Sequence, residues 1–291
     1  MAESDRQIKI IDRDKNIRVF LARTTHLAEE AHQRHETSAT ATAALGRVMT
    51  AAVMMASDLK GEEDSVTIRV KGDGPAGTII ATADTWGGVR GFIANPTADL
   101  PEIAPGKLAV GQLVGKQGFL EVVKDLGLKQ PFSGRIELIS GEIAEDIAQY
   151  FLASEQVPAL VALGVLVAPD LSVQAAGGLI IQAMPDASDE VLKIIEANIF
   201  GLGTISNLIA TYPELEAIAP LIMEGIDYDI VEEDDFKFHC KCSRDKLLGV
   251  LQGLSPEERR DIQQDENIEV ICNFCRQRYL YKPDELDGPI N

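Results

Sequence analysis

Two short stretches near the C-terminus, FHCKCS at residues 238–243 and ICNFCRQRYLY at residues 271–281, contain all four cysteines of the chain. One residue separates the first two cysteines, and two residues separate the second two. Two such chelating turns can bring four sulfur atoms to one tetrahedral centre, the ligand set that structural Zn²⁺ prefers. The sequence therefore predicts one Zn²⁺ ion, with four ligands: Cys240, Cys242, Cys272 and Cys275.

Four cysteine ligands limit which metal can bind and which chemistry that metal can support. Iron also accepts four thiolates, but no other sign of redox-cofactor chemistry occurs in the sequence, so zinc is favoured. The first pair is one residue shorter than the Cys-x-x-Cys of zinc ribbons, which indicates a tighter turn. Four sulfurs fill the coordination shell and leave no position for water or substrate. We therefore expect no catalysis at the metal and predict that the chain is not an enzyme.

Two roles for the ion remain open at this point. The simpler interpretation is that the metal only stabilises a small C-terminal module. The second, more specific interpretation is that the thiolates remain oxidisable, so that oxidation removes ligands and releases the metal. Since structural zinc supplies ~10–16 kcal/mol of apparent binding free energy, its loss should unfold a small module and free whatever packs against it. Oxidation would then expose apolar surface.

Composition and charge limit the partners and the compartment. The 291 residues are 45% hydrophobic and 25% charged, as in ordinary folded proteins, and the net charge is −19. An acidic surface repels nucleic acid and anionic lipid, so neither nucleic acid nor a membrane is an expected partner. The charged N-terminus and the lack of a long apolar run predict a cytoplasmic location.

Changes in residue periodicity divide the chain into three regions and predict an α+β fold. Residues 1–185 alternate strand patterns with a buried helical region at about 25–59, which predicts a mixed domain with a largely antiparallel sheet. Residues 186–235 predict a helical connecting region that ends in an acidic hinge, DYDIVEEDD at residues 227–235. Residues 236–291 predict a small zinc-binding module.

The cysteine stretches, taken together, resemble those of the heat shock protein 33 family, also called the 33 kDa chaperonin. The resemblance extends well beyond the cysteines, between residues 44 and 185. The segments that carry it there are ALGRVMTA, VKGDGPAG, GVRGFIANP, VVKDLGL, FSGRIELISGEIAEDIAQYFLASEQVP and AAGGLIIQAMP.

This resemblance implies an ATP-independent chaperone that holds unfolded client proteins and prevents their aggregation. It implies inactivity when the protein is reduced and zinc-bound, and activation when oxidants act together with unfolding stress. It also implies that the connecting region unfolds on activation and that active molecules form homodimers. The oxidised cysteine pairs that the resemblance implies are Cys240–Cys242 and Cys272–Cys275.

Two rival functions come from other classes of protein. The first is a nucleic-acid-binding zinc protein, because basic residues surround the cysteines. The second is a metabolic enzyme in the N-terminal domain with a structural zinc tail. The G-x-G-x-x-G match GDGPAG at residues 72–77 is interpreted as a hairpin turn, because a strand pattern follows it where phosphate binding needs a helix. His32 and His35 are interpreted as part of a solvated polar helix face.

Overall fold

The computed structural model describes residues 4–185, 187–264 and 266–287. The chain forms two compact units, Met1–Phe238 and His239–Asn291. Helices and mostly antiparallel strands make up both units, so the predicted α+β class is confirmed.

Apart from a π-helical turn at Phe151–Glu155 and a 3₁₀-helical turn at Pro283–Asp287, thirteen strands and nine α-helices are found in the described residues. In chain order they are β1 Arg6–Asp12, β2 Ile17–Arg23, α1 Thr25–His35, α2 Ala39–Ala56, β3 Ser65–Lys71, β4 Thr78–Asp84, β5 Gly88–Ile93, α3 Val110–Val114, β6 Phe119–Asp125, β7 Phe132–Glu137, α4 Ala144–Tyr150, β8 Ala159–Val167, β9 Val173–Ala183, α5 Asp189–Gly201, α6 Ile205–Thr211, α7 Leu215–Ile222, β10 Tyr228–Asp235, β11 Lys237–Phe238, α8 Arg244–Gln252, α9 Pro256–Ile262, β12 Ile268–Ile271 and β13 Arg278–Tyr281.

Two sheets and one long buried helix build the larger unit. The first sheet has the strand order β10-β1-β2-β9-β8, and the second has the order β11-β5-β4-β3-β6-β7. Helix α2 is buried along almost its whole length and packs against strands of both sheets, as its apolar sequence predicts. By length and composition α2 could cross a membrane, but 89% of it is buried within the fold, as in the core helix of a folded protein.

The two faces of strand β2 contribute side chains to two different apolar cores. Its side chains alternate, so Phe20 and Ala22 join the core around α2, whereas Val19 and Leu21 join a second core. Helices α5, α6 and α7 cover that second core with apolar side chains that include Ile195. The helices predicted for the connecting region therefore lie on the face of the first sheet opposite α2.

The acidic segment departs from the sequence prediction. Instead of a hinge it forms β10, which pairs antiparallel with β1 along the strand and makes one edge of the first sheet. Its side chains are mostly exposed, so burial does not explain the strand. The partner strand supplies compensating charges: Lys9 Nζ lies 2.9 Å from a Glu232 carboxylate oxygen. A charge-rich segment thus becomes ordered because its neighbour carries the opposite charge.

Arg6 compensates the negative charge of three carboxylates. Its guanidinium group lies 3.1 Å from a Glu214 carboxylate oxygen and 3.5 Å from one of Glu233, and it also contacts Glu216. The Arg6 side chain is only 18% exposed. One cation of β1 therefore joins the edge strand β10 to the N-terminal end of α7.

The segment GDGPAG forms the connection between β3 and β4, an antiparallel pair, so the prediction of a hairpin turn is confirmed. Its glycines permit a close approach to the backbone of α3. The amide of Gly74 donates to the carbonyl oxygen of Val114 at 2.9 Å, and a Cβ added at Gly72 would lie 2.0 Å from the same oxygen. Packing against α3 explains Gly72 and Gly74, and a φ of 68° explains Gly77.

We predict that Gly72→Ala lowers the free energy of unfolding by about 1–3 kcal/mol, because the new methyl group collides with rigid backbone. Gly201→Ala is the matched control, since nothing lies within 4 Å of a Cβ at that helical position. The control should change stability by at most ~1 kcal/mol, in the stabilising direction. Urea unfolding of the full chain measures both variants, and equal midpoints would contradict the close approach.

A second prediction concerns Arg6. Arg6→Ala should lower the free energy of unfolding by about 1–3 kcal/mol and speed amide exchange in residues 228–235, because several carboxylates lose a shared, partly buried cation. Arg13 is the control: its side chain is 62% exposed and its ion pairs with Asp227 and Asp229 are long, at 3.8 and 3.6 Å. Arg13→Ala should change stability by less than ~1 kcal/mol. Unaltered exchange in β10 after Arg6→Ala would contradict the proposed role of Arg6.

The smaller unit contains the predicted helices α8 and α9 and a two-stranded antiparallel sheet of β12 and β13. Side-chain oxygens of Ser243 and Ser255 cap the two helices by accepting backbone amides, and Ser255 forms a capping box with Glu258. The buried apolar cluster of this unit is small. Its members are Leu251, Ile268, Tyr281 and Leu286.

Candidate metal centre

The two cysteine pairs occupy short loops at the ends of regular elements. Cys240 and Cys242 lie in the extended segment between β11 and α8. Cys272 and Cys275 lie in the connection of the β12–β13 hairpin, which the pairing of Ile271 with Arg278 closes. A hairpin fixes the ends of its loop, so the second pair has a defined position before any metal binds.

The hairpin loop is held by its own backbone. The amide of Arg276 donates to the Cys272 carbonyl oxygen at 2.9 Å, and the amide of Cys272 donates to the Gln277 carbonyl oxygen at 3.0 Å. Arg276 has a φ of 60°, in the left-handed region that non-glycine residues seldom adopt. This turn directs both cysteine side chains of the loop to one side.

The structure brings all four predicted ligands together. The four sulfur atoms lie within 4.8 Å of one another, close enough for one ion to contact all of them. The Cys240 and Cys272 sulfurs are 3.8 Å apart, and the Cys242 and Cys275 sulfurs are 3.3 Å apart. Cys272 and Cys275 are buried, whereas Cys240 and Cys242 are half-buried. In the described part of the chain this is the single cluster of its kind.

Burial and hydrogen bonds set the acidity of the thiols. Burial raises the pKa of Cys240 to about 11, and burial likewise raises the pKa of Cys275. Burial also acts on Cys242, but hydrogen bonds from Tyr279 and from neighbouring thiols outweigh it and lower the pKa of that residue. Since metals bind the thiolate, metal uptake has to displace protons, and acid should weaken it.

Tyr279 is the neighbour that sequence reasoning missed. Its hydroxyl oxygen lies 3.2 Å from the Cys242 sulfur, although the two residues are 37 positions apart. The hydrogen bond with Cys242 raises the pKa of the tyrosine. The sequence gives no sign of this contact, because tyrosine in a short strand is ordinary and only the folded hairpin brings its hydroxyl to the cysteine loop.

The basic residues around the cysteines are partly neutralised. Arg244 forms an ion pair with Glu285 at 2.6 Å, and Arg278 lies 3.4 Å from a Glu269 carboxylate oxygen. Arg244 also lies over the ring of Tyr281, with its guanidinium carbon 4.8 Å from the ring centroid. These arginines therefore have structural partners, which weakens the case for a nucleic-acid interface.

His32 and His35 of α1 belong to no cluster of metal-ligating groups in the described residues. His35 is buried and donates through Nε2 to the Gly91 carbonyl oxygen at 3.1 Å, so the prediction of a solvated face was wrong for this residue. His32 is half-buried and lies 3.1 Å from the hydroxyl oxygen of Thr37. Helix α1 packs against α2 and β5, and this packing covers the face that carries His35.

Comparisons with known proteins extend over nearly the whole chain. The family described as "Hsp33 protein" matches residues 5–282. A "33 kDa chaperonin" of Desulforamulus reducens is 47% identical over 283 residues, which cover 97% of this chain and 96% of the relative. A protein of the same description from Bacillus subtilis is 41% identical over 285 residues, with 98% and 97% of the two chains covered.

A solved structure agrees with the sequence comparisons. The crystal structure of the 33 kDa chaperonin (heat shock protein 33 homolog) of Thermotoga maritima superposes with a TM-score of 0.91 at 36% identity. The superposition covers 98% of this chain and 97% of that one. With both units matched and four cysteines gathered at one point, the chain belongs to the Hsp33 family of chaperones.

Proposed function

We propose that this chaperone is a redox-regulated, ATP-independent holdase of the cytoplasm. Reduced and zinc-bound, it is inactive; oxidised, it loses zinc, binds unfolded client proteins and prevents their aggregation. The observation that carries the proposal is the convergence of four oxidisable sulfurs in a unit with a small apolar core. The family supports the chaperone part of the proposal.

The spacing of the sulfurs fits a tetrahedral four-thiolate site, which we propose to hold zinc. A regular tetrahedron of sulfurs at Zn–S bonds of ~2.3 Å has edges of about 3.8 Å. The Cys240–Cys272 sulfur distance is 3.8 Å, and the Cys242–Cys275 distance of 3.3 Å needs only a small expansion. When bound, the ion links the segment before α8 to the β12–β13 hairpin and adds folding free energy.

Oxidation of the thiolates is the proposed trigger. Each disulfide forms when two thiolates give two electrons to peroxide, which takes up two protons and leaves as two molecules of water. We propose the pairs Cys240–Cys242 and Cys272–Cys275, so four electrons leave the cluster in total. A sulfur in a disulfide is a poor metal ligand, and the ion is released.

Loss of the ion removes most of what orders the smaller unit. Units below ~70–80 residues seldom bury enough apolar surface to fold without a metal or disulfides. Here the buried apolar cluster consists of Leu251, Ile268, Tyr281 and Leu286. A disulfide between cysteines only one or two residues apart closes a very small loop and restricts the unfolded chain little. We therefore propose that the oxidised unit unfolds.

We further propose that residues 186–235 unfold with it and uncover a surface for clients. Helix α5 has one buried residue, Ile195, and helix α7, whose apolar face is buried, contains Pro220. Beneath them the first sheet carries Ile8, Ile10 and other apolar side chains of the second core. Exposed apolar surface of this kind binds unfolded segments and also favours the homodimer proposed for the active state.

The test compares the two redox states of the full chain. We expect the reduced protein to carry one zinc and to leave aggregation of a heat-unfolded client unchanged. After peroxide at a mildly denaturing temperature, the protein should release its zinc and suppress light scattering by the client. Equal suppression in both states would remove the switch, and the ion would then be only structural.

Peptide mapping of the oxidised protein tests the disulfide assignment. The expected species join Cys240 to Cys242 and Cys272 to Cys275. Species that join Cys240 to Cys272 and Cys242 to Cys275, the sulfurs at 3.8 and 3.3 Å, would contradict the assignment. Size-exclusion chromatography of the same sample should show a dimer.

Cys272→Ser separates the role of the ion from that of oxidation. With three sulfurs left, the reduced variant should bind zinc weakly and lose folded structure in the smaller unit, because three ligands hold a structural site poorly. Zinc content and circular dichroism provide the measurement. The reduced variant should also suppress client aggregation partly without oxidant. Wild-type zinc content and a wild-type spectrum would contradict the four-sulfur site.

A further inference from the structure

Tyr279 occupies a fixed position beside the cysteine cluster. It lies in β13 opposite Val270 of β12, and its side chain is half-buried. Its hydroxyl oxygen is 3.2 Å from the Cys242 sulfur. The hairpin therefore places one polar side-chain atom against a sulfur of the other cysteine pair.

The direction of this hydrogen bond follows from the chemistry of the sulfur. A cysteine that binds a metal has lost its proton, so its sulfur can only accept. The phenol must then donate its O–H to the sulfur of Cys242. Hydrogen bonds to a charged acceptor are about twice as strong as neutral ones, and outer-shell donors of this kind commonly tune metal sites.

Two other sulfurs receive donors of a different type. Burial raises the pKa of Cys240 and of Cys275, and the backbone amides of Cys242 and Gln277 act on these two thiols in the opposite direction. Backbone amides are present whatever the sequence. Tyr279 instead supplies a side-chain donor, so evolution or mutagenesis can remove it without changing the course of the backbone.

We propose that Tyr279 is a positioning residue that slows oxidation of the cluster by donating a hydrogen bond to the Cys242 sulfur. The donated proton draws electron density from the sulfur and lowers its nucleophilicity. It also holds the Cys242 side chain toward the other three sulfurs. The inference rests on the proposed redox function, for which it names a residue that sets the oxidant sensitivity.

The step that the hydrogen bond slows is the attack of sulfur on peroxide. The sulfur of Cys242 forms a bond to one oxygen, the O–O bond breaks, and the departing hydroxide takes a proton to become water. A second thiolate then attacks the sulfur of the resulting sulfenic acid, the S–S bond forms, and the S–O bond breaks with loss of hydroxide, which takes up a second proton to become water. The first attack uses the lone pair that the phenol partly engages.

Tyr281 provides a matched control in the same strand. It lies two residues further along β13, so its side chain is on the same face, but its hydroxyl donates to the Arg244 carbonyl oxygen at 2.8 Å. Tyr281→Phe removes a phenol hydroxyl, and a hydrogen bond, without touching a sulfur. Tyr279→Phe removes the hydroxyl that faces the cluster.

The experiment uses the reduced, zinc-loaded full chain and follows zinc release by peroxide with a chromogenic chelator. We expect Tyr279→Phe to release zinc roughly tenfold faster than the wild type, the lower end of the effect of losing an outer-shell partner. Tyr281→Phe should release zinc at the wild-type rate. Equal rates for the wild type and Tyr279→Phe, or equal acceleration in both variants, would overturn the proposal.

Replacement of zinc by Co²⁺ adds a readout that general loosening of the unit would not move. Loss of the donated hydrogen bond should shift the sulfur-to-cobalt charge-transfer band of Tyr279→Phe to longer wavelength, because the sulfur becomes more electron-rich. An unshifted band would reduce Tyr279 to a structural residue and overturn the proposal. Both measurements are independent of client aggregation, so a failure of the holdase function would be seen separately.

Discussion

Four sulfur atoms within 4.8 Å of one another take the place of a large hydrophobic core in the C-terminal unit. In the described residues, the apolar cluster there has four buried side chains, with six partly buried ones packed against it. A unit of this size normally needs a metal, disulfides or a partner to remain folded. Under the proposed function, a metal at this cluster would couple the order of the unit to the protonation and oxidation state of its cysteines.

The larger unit depends on a different balance, between buried and charged contacts. Helix α2 is surrounded by apolar side chains of two sheets, so we expect it to remain folded under mild stress. The outer layer of α5–α7 and β10 is held by a smaller apolar cluster and by cations of β1, among them Arg6 and Lys9. This outer layer covers apolar side chains of the first sheet, and it is the part of the unit that we propose to unfold on activation.

The residue pattern alone predicted several features of the fold correctly. The burial of α2, the hairpin turn at residues 72–77 and the two helices between the cysteine pairs all follow from local periodicity and turn chemistry. Local reasoning was wrong for the acidic segment, because strand β10 is stabilised by cations more than two hundred residues away along the chain. It was wrong for His35 for a similar reason, since the covering partner Gly91 belongs to a distant strand.

The sequence by itself identified the candidate ligands, because four cysteines in two close pairs can surround one thiophilic ion and their thiolates can be oxidised. The tertiary structure decided what surrounds them. The β12–β13 hairpin places the hydroxyl of Tyr279 3.2 Å from the Cys242 sulfur and fixes the turn at Arg276. Ligand identity is a property of residue type and spacing, whereas the donors around a sulfur depend on which distant atoms the folded backbone brings within hydrogen-bonding distance.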